Sequence, residues 1–499
     1  MAETKREIER KYESDDGTLP ELTGVGAVAA VLDQGLVELD ATYYDTADQR
    51  LAAASLTLRR RTGGSDAGWH LKLPVAPGVR DEIRAPLSDT LPEELAALVR
   101  SRTREARPVP LVRLRSARDV RHLVDADGAL LAEASVDTVT AERLTGAGGT
   151  ARWTEIEVEL ADGGDPAFLD QVEKHLARAG VRPSASSSKL ARALELTGGA
   201  RRPPVARPEP VTAGDHVLAY LRAQRDALVA LDPAVRLGTP DAVHRMRVAT
   251  RRARSTLRTF RAVLDRAATE PVAAELKWLA GELGVDRDQE VLAERLTTAL
   301  DALPPALDAD RIHERLTSWA RARVRAAPAH LAGVLDSARH LALLNTLDAL
   351  LADPPLRKAA ARTPEKVLGK AVQKDLSRLT ALVERALALP PGTDRDLALH
   401  EARKKAKRAR YAAEAAAPAL GAPVRRLTSA MKTLTTLLGD HQDSVMARRT
   451  LRELAAVAHA AGESAFPYGV LYGREEARAA AAEAELPARW RRAADRFPG

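Results

Sequence analysis

The chain contains no cysteine, which excludes disulfides, thiolate metal ligands and cysteine nucleophiles. Aromatic residues make up only 3% of it, against 45% hydrophobic residues in all, so alanine, leucine and valine must carry the burial. That balance favours close-packed helices over an aromatic-rich sandwich. No uninterrupted apolar run approaches the ~18 residues needed to span a bilayer, and the opening Met-Ala-Glu-Thr-Lys-Arg-Glu has no apolar signal core. The expectation is a soluble, cytoplasmic protein with no membrane segment.

What is present is length and charge. At 499 residues the chain exceeds the size at which one core usually stops growing, so two or three domains are expected. Lysine and arginine number 76 against 69 aspartate and glutamate, a formal net charge of +7. This modest excess allows an anionic partner without specifying nucleic acid. The charges are clustered, and the clusters carry the information.

Hydrophobic period divides the chain. Up to residue 197, short stretches of period two alternate with turn signals: Glu7–Tyr12, Leu56–Thr62, Trp69–Leu73, Glu82–Leu87, Val112–Ser116, Leu130–Val136 and Thr154–Leu160. Helical stretches are predicted at Val25–Gln34, Glu93–Arg100 and Asp165–Ala179, giving an α+β domain built on an antiparallel sheet. Residues 198–213, Gly198 to Ala213, form a proline-rich spacer. Beyond it, residues 214–499 have helical period almost throughout and predict an all-α domain.

That second domain repeats itself. His244, Arg247, Arg251, Arg252 and Arg254 recur 156 residues later as His400, Arg403, Lys407, Arg408 and Arg410. Leu283-Gly284 with Arg287-Asp288 recurs 155 residues later as Leu438-Gly439 with Gln442-Asp443. A duplicated helical bundle follows, with halves at 214–350 and 365–495.

Alternate residues of a strand share a face. Glu7, Glu9 and Lys11 therefore face together, as do Glu155, Glu157 and Glu159; Arg59 pairs with Arg61, His70 with Lys72, and Glu82 with Arg84. An ordinary strand with one solvated face would explain any one of these. Acidic strands at both ends of a domain, with basic strands between, suggest instead a sheet closed around one charged lumen. Basic side chains there could hold a polyanion, while glutamates hold a hard divalent cation that activates water. Phosphoryl transfer asks for that positioning and neutralisation.

Glu7-x-Glu9-x-Lys11, Tyr44-Asp45-Thr46, Leu58-Arg59-Arg60-Arg61, Trp69-His-Leu-Lys72, Glu82-Ile-Arg84 and Glu155-Ile-Glu157-Val-Glu159, in that order, resemble the CYTH, or triphosphate tunnel metalloenzyme, family. The resemblance implies a closed antiparallel eight-stranded β-tunnel that hydrolyses triphosphates with Mg2+ or Mn2+. It implies catalytic roles for Glu7, Glu9 and Lys11, and metal-side carboxylates at Glu7, Glu9, Asp137, Glu155 and Glu157. Phosphates would be held by Lys11, Arg59, Arg61, Lys72, Arg84, Arg118 and Lys189, with Arg113 or Arg115 replacing Arg118 if the register slips by one residue. His70 reads as structural, and Ser186–Ser188 before Lys189 as a turn.

On a helix, His244, Arg247, Arg251, Arg254 and Arg258 fall along one stripe, as do His400, Arg403, Lys407 and Arg410, with Lys404 and Arg408 on an adjacent one. Seven arginines and no acid lie between His244 and Arg261. Solvated helix faces normally mix signs, so two matched single-sign stripes point to an anion-binding surface. Only Phe260 and Tyr411 lie near them, so the base-stacking platforms of nucleic-acid binders are missing. The repeated pattern resembles the CHAD family, which implies a helical domain of two similar bundles binding inorganic polyphosphate through His244, Arg247, Arg251, Arg252, Arg254, Arg258, His400, Arg403, Lys404, Lys407, Arg408 and Arg410.

The expected function is divalent-metal-dependent hydrolysis of inorganic triphosphate beside a polyphosphate-binding module, with association with polyphosphate granules. Two alternatives are a non-catalytic polyphosphate-binding protein and a tunnel enzyme acting on thiamine triphosphate or cyclising ATP.

Overall fold

The computed structural model describes residues 3–14, 17–146, 148–198, 208–284, 287–303, 309–324 and 327–494. The chain divides into two compact units, residues 1–207 and 208–499. Most of the proline-rich spacer, residues 199–207, lies outside the described residues.

The first unit is a ring of eight antiparallel strands: β1 (Glu3–Glu13), β2 (Ala30–Asp45), β3 (Thr57–Thr62), β4 (Gly68–Ala76), β5 (Val79–Pro86), β6 (Val109–Val124), β7 (Leu130–Arg143) and β8 (Gly149–Leu160). The sheet runs β5-β4-β3-β2-β6-β7-β8-β1, and β1 also pairs with β5, which closes it. A two-residue strand β9 (Arg182–Pro183) extends β1. Closure leaves an inner and an outer face, and the period-two alternation assigns each residue to one of them.

Part of the outer face is apolar and covered by helices. Leu58, Leu71 and Ile83 are fully buried under α2 (Glu93–Thr103), which follows the one-turn α1 (Arg50–Ala53). Ile156 and Val158 are buried under α3 (Ala167–Arg178). A further helix, α4 (Lys189–Leu196), packs differently. Its Leu190, Ala193 and Leu194 join Ala41, Leu114, Val139 and Trp153, which belong to the inner face at one end of the ring.

One predicted element is wrong. Val25–Gln34 is not a helix: Val25–Val28 is a turn, and β2 begins at Ala30. Hydrophobic spacing suggested helix, but Ala30–Asp33 pair with Val124–Arg121 of β6, and the long ladder overrides it. Gln34 is the extra residue of a bulge, and Gly35 supplies the φ of 82° that the bulge needs. Strands β6 and β7 also run well past their predicted stretches.

The second unit is all helical: α5 (Ala213–Arg236), α6 (Ala242–Thr259), α7 (Arg266–Glu282), α8 (Arg287–Asp301), α9 (Ala309–Val324), α10 (Ala327–Asp336), α11 (Ala338–Ala352), α12 (Lys370–Ala388), α13 (Thr393–Leu420), α14 (Ala422–Ala460) and α15 (Phe466–Ala494). Thr212 and Asp215 form a reciprocal capping box that starts α5. The repeat is structural as well as sequential. α5 corresponds to α12 and α6 to α13, while α7 and α8 correspond to the single long helix α14. Leu283-Gly284 thus ends one helix in the first half, and Leu438-Gly439 lies inside a continuous helix in the second.

Leu71 is completely buried between the outer sheet face and α2. Leu71→Ala is expected to destabilise the barrel unit by about 2–5 kcal/mol, read as a lower denaturant midpoint for the transition that loses β-sheet circular dichroism.

Candidate functional sites

The inner face of the barrel encloses a cavity of about 520 Å3 lined by side chains of both signs. Nine lysines and arginines and eight aspartates and glutamates line it, so the chamber is close to self-neutralised. The strand register explains the pairing. Lys11 of β1 stands opposite Glu157 of β8, and Arg118 of β6 opposite Asp137 of β7.

Two networks result. On one wall Glu82, fully buried, accepts from Arg84 Nε at 2.5 Å and faces Arg59 at 3.4 Å and Lys72 at 3.7 Å. Lys72 Nζ also reaches Glu7 at 2.5 Å. His70 sits between Glu82 at 3.0 Å and the carbonyl of Asp66 at 2.9 Å. Burial, with Arg59 and Arg61 nearby, lowers the imidazole to about 4, so the neutral ring donates from one nitrogen to one of these acceptors. His70 is therefore a positioning group for Glu82. Arg61 pairs with Asp66.

On the other wall Lys189 Nζ lies 3.0 Å from Asp137, 2.8 Å from Glu155 and 2.6 Å from Glu157. Arg118 donates to Asp137 at 2.8 Å and to Glu157 at 2.7 Å. Lys11 pairs with Glu157 and lies 3.3 Å from Glu9. The Trp153 indole N–H donates to Glu155 at 2.6 Å and fixes that carboxylate. Lys189 is in place because Ser188, reading as a turn in the sequence, caps α4 by accepting from the Ala191 amide.

The electrostatics follow from burial. Burial pushes the Glu7 carboxyl up to about 7, against the pull of Lys72. Burial also opposes ionisation of Glu9, but Lys11 and Lys72 outweigh it and hold Glu9 at about 2. Burial and the nearby Arg59 and Arg118 lower Arg61 to about 9. Glu157 is held well below the carboxylate range: burial works against its charge, and Lys11, Lys189 and Arg118 overcome it.

Asp137, Glu155 and Glu157 each offer an oxygen within 4.8 Å of the others, all three buried. Three hard oxygen donors at that spacing suit Mg2+ or Mn2+. Glu7 and Glu9 face the same chamber but stand outside that three-carboxylate group. Arg113, the alternative to Arg118, instead pairs with Asp40, and Arg115 with Glu142. Asp45 of the Tyr-Asp-Thr motif is structural: its carboxylate accepts from the Thr46, Leu51 and Ala52 amides and closes the turn after β2. Sequence reasoning gave no role to Glu82, Tyr43 or Lys5. Period two would have found Lys5, two residues before Glu7, while Tyr43 shows itself only through its 3.4 Å contact with Arg59.

In the helical unit α6 packs against α13 and brings the two basic stripes together. Lys407 marks the centre. Burial and the adjacent Arg403, Arg251, Arg247 and Arg410 push its ammonium down to about 7. Burial and Arg258 lower Arg254 as well. Gly284 serves this cluster: a Cβ there would come within 3.0 Å of the Arg247 guanidinium.

Other residues of the basic pattern have separate work. Arg252 pairs with Glu414 at 2.7 Å, and Lys404 with Glu401 at 2.6 Å. Arg408 joins Asp375 of α12 at 2.9 Å to Thr259 Oγ1 at 3.0 Å and the Arg258 carbonyl at 3.1 Å, clamping three helices. Arg410 reaches Glu414 at 3.2 Å. His400 Nδ1 bonds Gln442 at 2.6 Å, while His244 is exposed. The first-half counterparts of Gln442 and Asp443, the side chains of Arg287 and Asp288, lie outside the described residues. A group the sequence did not suggest, Asp396, His441 and Glu483, draws α13, α14 and α15 together. Arg448 reaches Asp396 at 3.2 Å and Arg395 reaches Glu483 at 2.9 Å, so this is a balanced ion network. No described helix is long and apolar enough to cross a membrane.

Comparison with known proteins agrees with both halves. The CYTH domain model matches residues 5–194 and the CHAD domain model residues 219–452. An uncharacterized protein of Mycobacterium tuberculosis, in strains CDC 1551 and H37Rv, is 39% identical over 488 residues, covering 94% of this chain and 92% of its own. Among solved structures, PptA from Streptomyces chartreusis is 25% identical over 56% of this chain and all of its own, with a TM-score of 0.47. The PH1819 protein of Pyrococcus horikoshii is 18% identical over 38% of this chain and 98% of its own, with a TM-score of 0.25. With both domain models matched in order and the mycobacterial protein alike almost end to end, the chain belongs to the family in which a CYTH domain is followed by a CHAD domain.

Proposed function

We propose that the barrel unit hydrolyses inorganic triphosphate, or a closely related triphosphate, with Mg2+ or Mn2+, and that the helical unit binds polyphosphate through the Lys407 cluster. One observation carries the reading: three buried carboxylates converge on Lys189, and one of them, Glu157, lines the chamber with cations that come from several strands and α4.

Arg59, Arg61, Lys72, Arg84, Arg118, Lys11 and Lys189 all reach the chamber and would bind phosphoryl oxygens there. Asp137, Glu155 and Glu157 would hold the metal, which when bound supplies charge neutralisation and an activated water. The chain's part is to keep each cation in place until substrate arrives. Glu82 does so for Arg59, Lys72 and Arg84, and Glu157 for Lys11, Lys189 and Arg118. Glu7 and Glu9, next to Lys72 and Lys11, stand where they could orient water.

Phosphate release from tripolyphosphate is expected with Mg2+ or Mn2+ and is expected to stop on adding EDTA. Glu155→Gln combined with Glu157→Gln should cut the rate by about 10²-fold or more while leaving the circular dichroism unchanged. A wild-type rate in that variant would refute the assignment, and retention of polyphosphate without turnover of any triphosphate would favour a purely binding protein.

For the helical unit, Arg251→Ala is expected to weaken polyphosphate binding and reduce the slope of log affinity against log salt by about one. Arg252→Ala, which removes the Glu414 pair, should leave that slope unchanged. Lys407 is charged below about pH 7 and neutral above it. A bound polyanion favours the charged form, so affinity should fall as pH rises from 6 to 8, with proton uptake on binding at pH 8. Lys407→Met is expected to flatten that dependence, measured by calorimetry in buffers of different ionisation enthalpy.

A further inference from the structure

The barrel lumen is open at one end and filled at the other. Leu114, Val139 and Trp153 share the inner face with Arg118, Asp137 and Glu155 respectively, because each lies an even number of residues along the same strand. Leu190 and Leu194 of α4 pack onto them, and all five of these apolar side chains are at most 7% exposed. The helix therefore occupies the lumen like a stopper. Its first residue, Lys189, is the boundary between the apolar plug and the charged chamber. Arg80 of β5 donates to the carbonyl of Ser187 at 2.5 Å and ties the segment before α4 to the barrel wall. The far end is different: Gln34, Leu130 and Asp162 border the chamber and are exposed.

We infer that the chamber is blind and admits a phosphate chain only by a free terminus. The inference rests on the triphosphate-hydrolysing reading above and narrows its substrate. A chain with no free end would have to enter as a doubled loop, and the ring of paired side chains leaves about 520 Å3 for whatever enters. A linear polyphosphate would insert one end as far as Lys189 and leave the rest across the mouth. Hydrolysis then takes place near that end. The oxygen of water bonds to a phosphorus inside the chamber and its bond to the bridging oxygen breaks. The electron pair leaves on that bridging oxygen, and the water gives up a proton. Both fragments depart through the mouth by which the chain entered. The protein so described shortens chains from their termini and does not cut them internally.

The test uses the full chain with Mg2+ and four substrates: tripolyphosphate, and medium-length linear polyphosphate that is uncapped, capped at one end, or capped at both ends as phosphoramidates of an amine too bulky to enter the chamber. Gel mobility and phosphate release are followed together. Expected is hydrolysis of tripolyphosphate, shortening of the uncapped and singly capped chains, and complete loss of cleavage for the doubly capped chain. Cleavage of the doubly capped chain would overturn the inference, and so would failure to shorten the singly capped chain while tripolyphosphate is turned over. Failure on tripolyphosphate itself would remove the hydrolytic reading, and this inference with it. Those results are distinguishable.

Discussion

The barrel depends on mutual neutralisation of the charges it encloses. A lysine or carboxylate taken out of water costs several kcal/mol unless it is matched and hydrogen-bonded. Lys189 can be 9% exposed because three carboxylates surround its ammonium, and Glu82 can be fully buried because Arg84, Arg59, Lys72 and His70 converge on it. Closure of the sheet is what forces these groups together: once β1 pairs with β5 and β8, every second residue must face inward. A metal and a polyanion would dissolve these pairs together. On the proposed function the anion would take the cations and the metal the carboxylates, and either partner alone would leave the opposite charges stranded. The pairing that stabilises the chamber would therefore favour a ligand that brings both signs.

The helical unit arranges its charges in the opposite way. At the Lys407 cluster, like charges are crowded together by the packing of α6 against α13, and burial with the adjacent guanidinium groups pushes the lysine below its usual value. Such a cluster of like charges is destabilising by itself, which is why the proposed polyanion would relieve it. Its surroundings are stiffened by pairs that face away from it, Arg408 with Asp375 and Arg252 with Glu414. The duplication sets the geometry: each half contributes one stripe, and in the first half Gly284 leaves room for the Arg247 guanidinium beside it.

Much of this was legible beforehand, for identifiable reasons. Period two in Glu7-Ile8-Glu9-Arg10-Lys11 and in Glu155–Glu159 placed the acids on one face, and the chamber holds them there. The basic stripes were visible because helical spacing and the 156-residue repeat are arithmetic properties of the sequence. What misled was β2, whose Ala30–Gln34 has helical hydrophobic spacing and becomes a strand only through its long ladder with β6. The equal weight given to all twelve basic-pattern residues was also too even. Arg252, Lys404 and Arg408 look like their neighbours in sequence but face acids supplied from elsewhere in the unit or from the adjacent turn.

The sequence by itself determined the division into a β-rich and a helical unit, the duplication, and which face each charged side chain occupies, because those follow from spacing along the chain. Only the tertiary structure decided which charge neutralises which, that Asp137 from β7 joins Glu155 and Glu157 from β8 in one cage, that Glu82 organises the cationic wall, and that α4 stops one end of the lumen. Each of these depends on register between strands far apart in sequence, or on a helix folding back into a ring that did not exist until it closed.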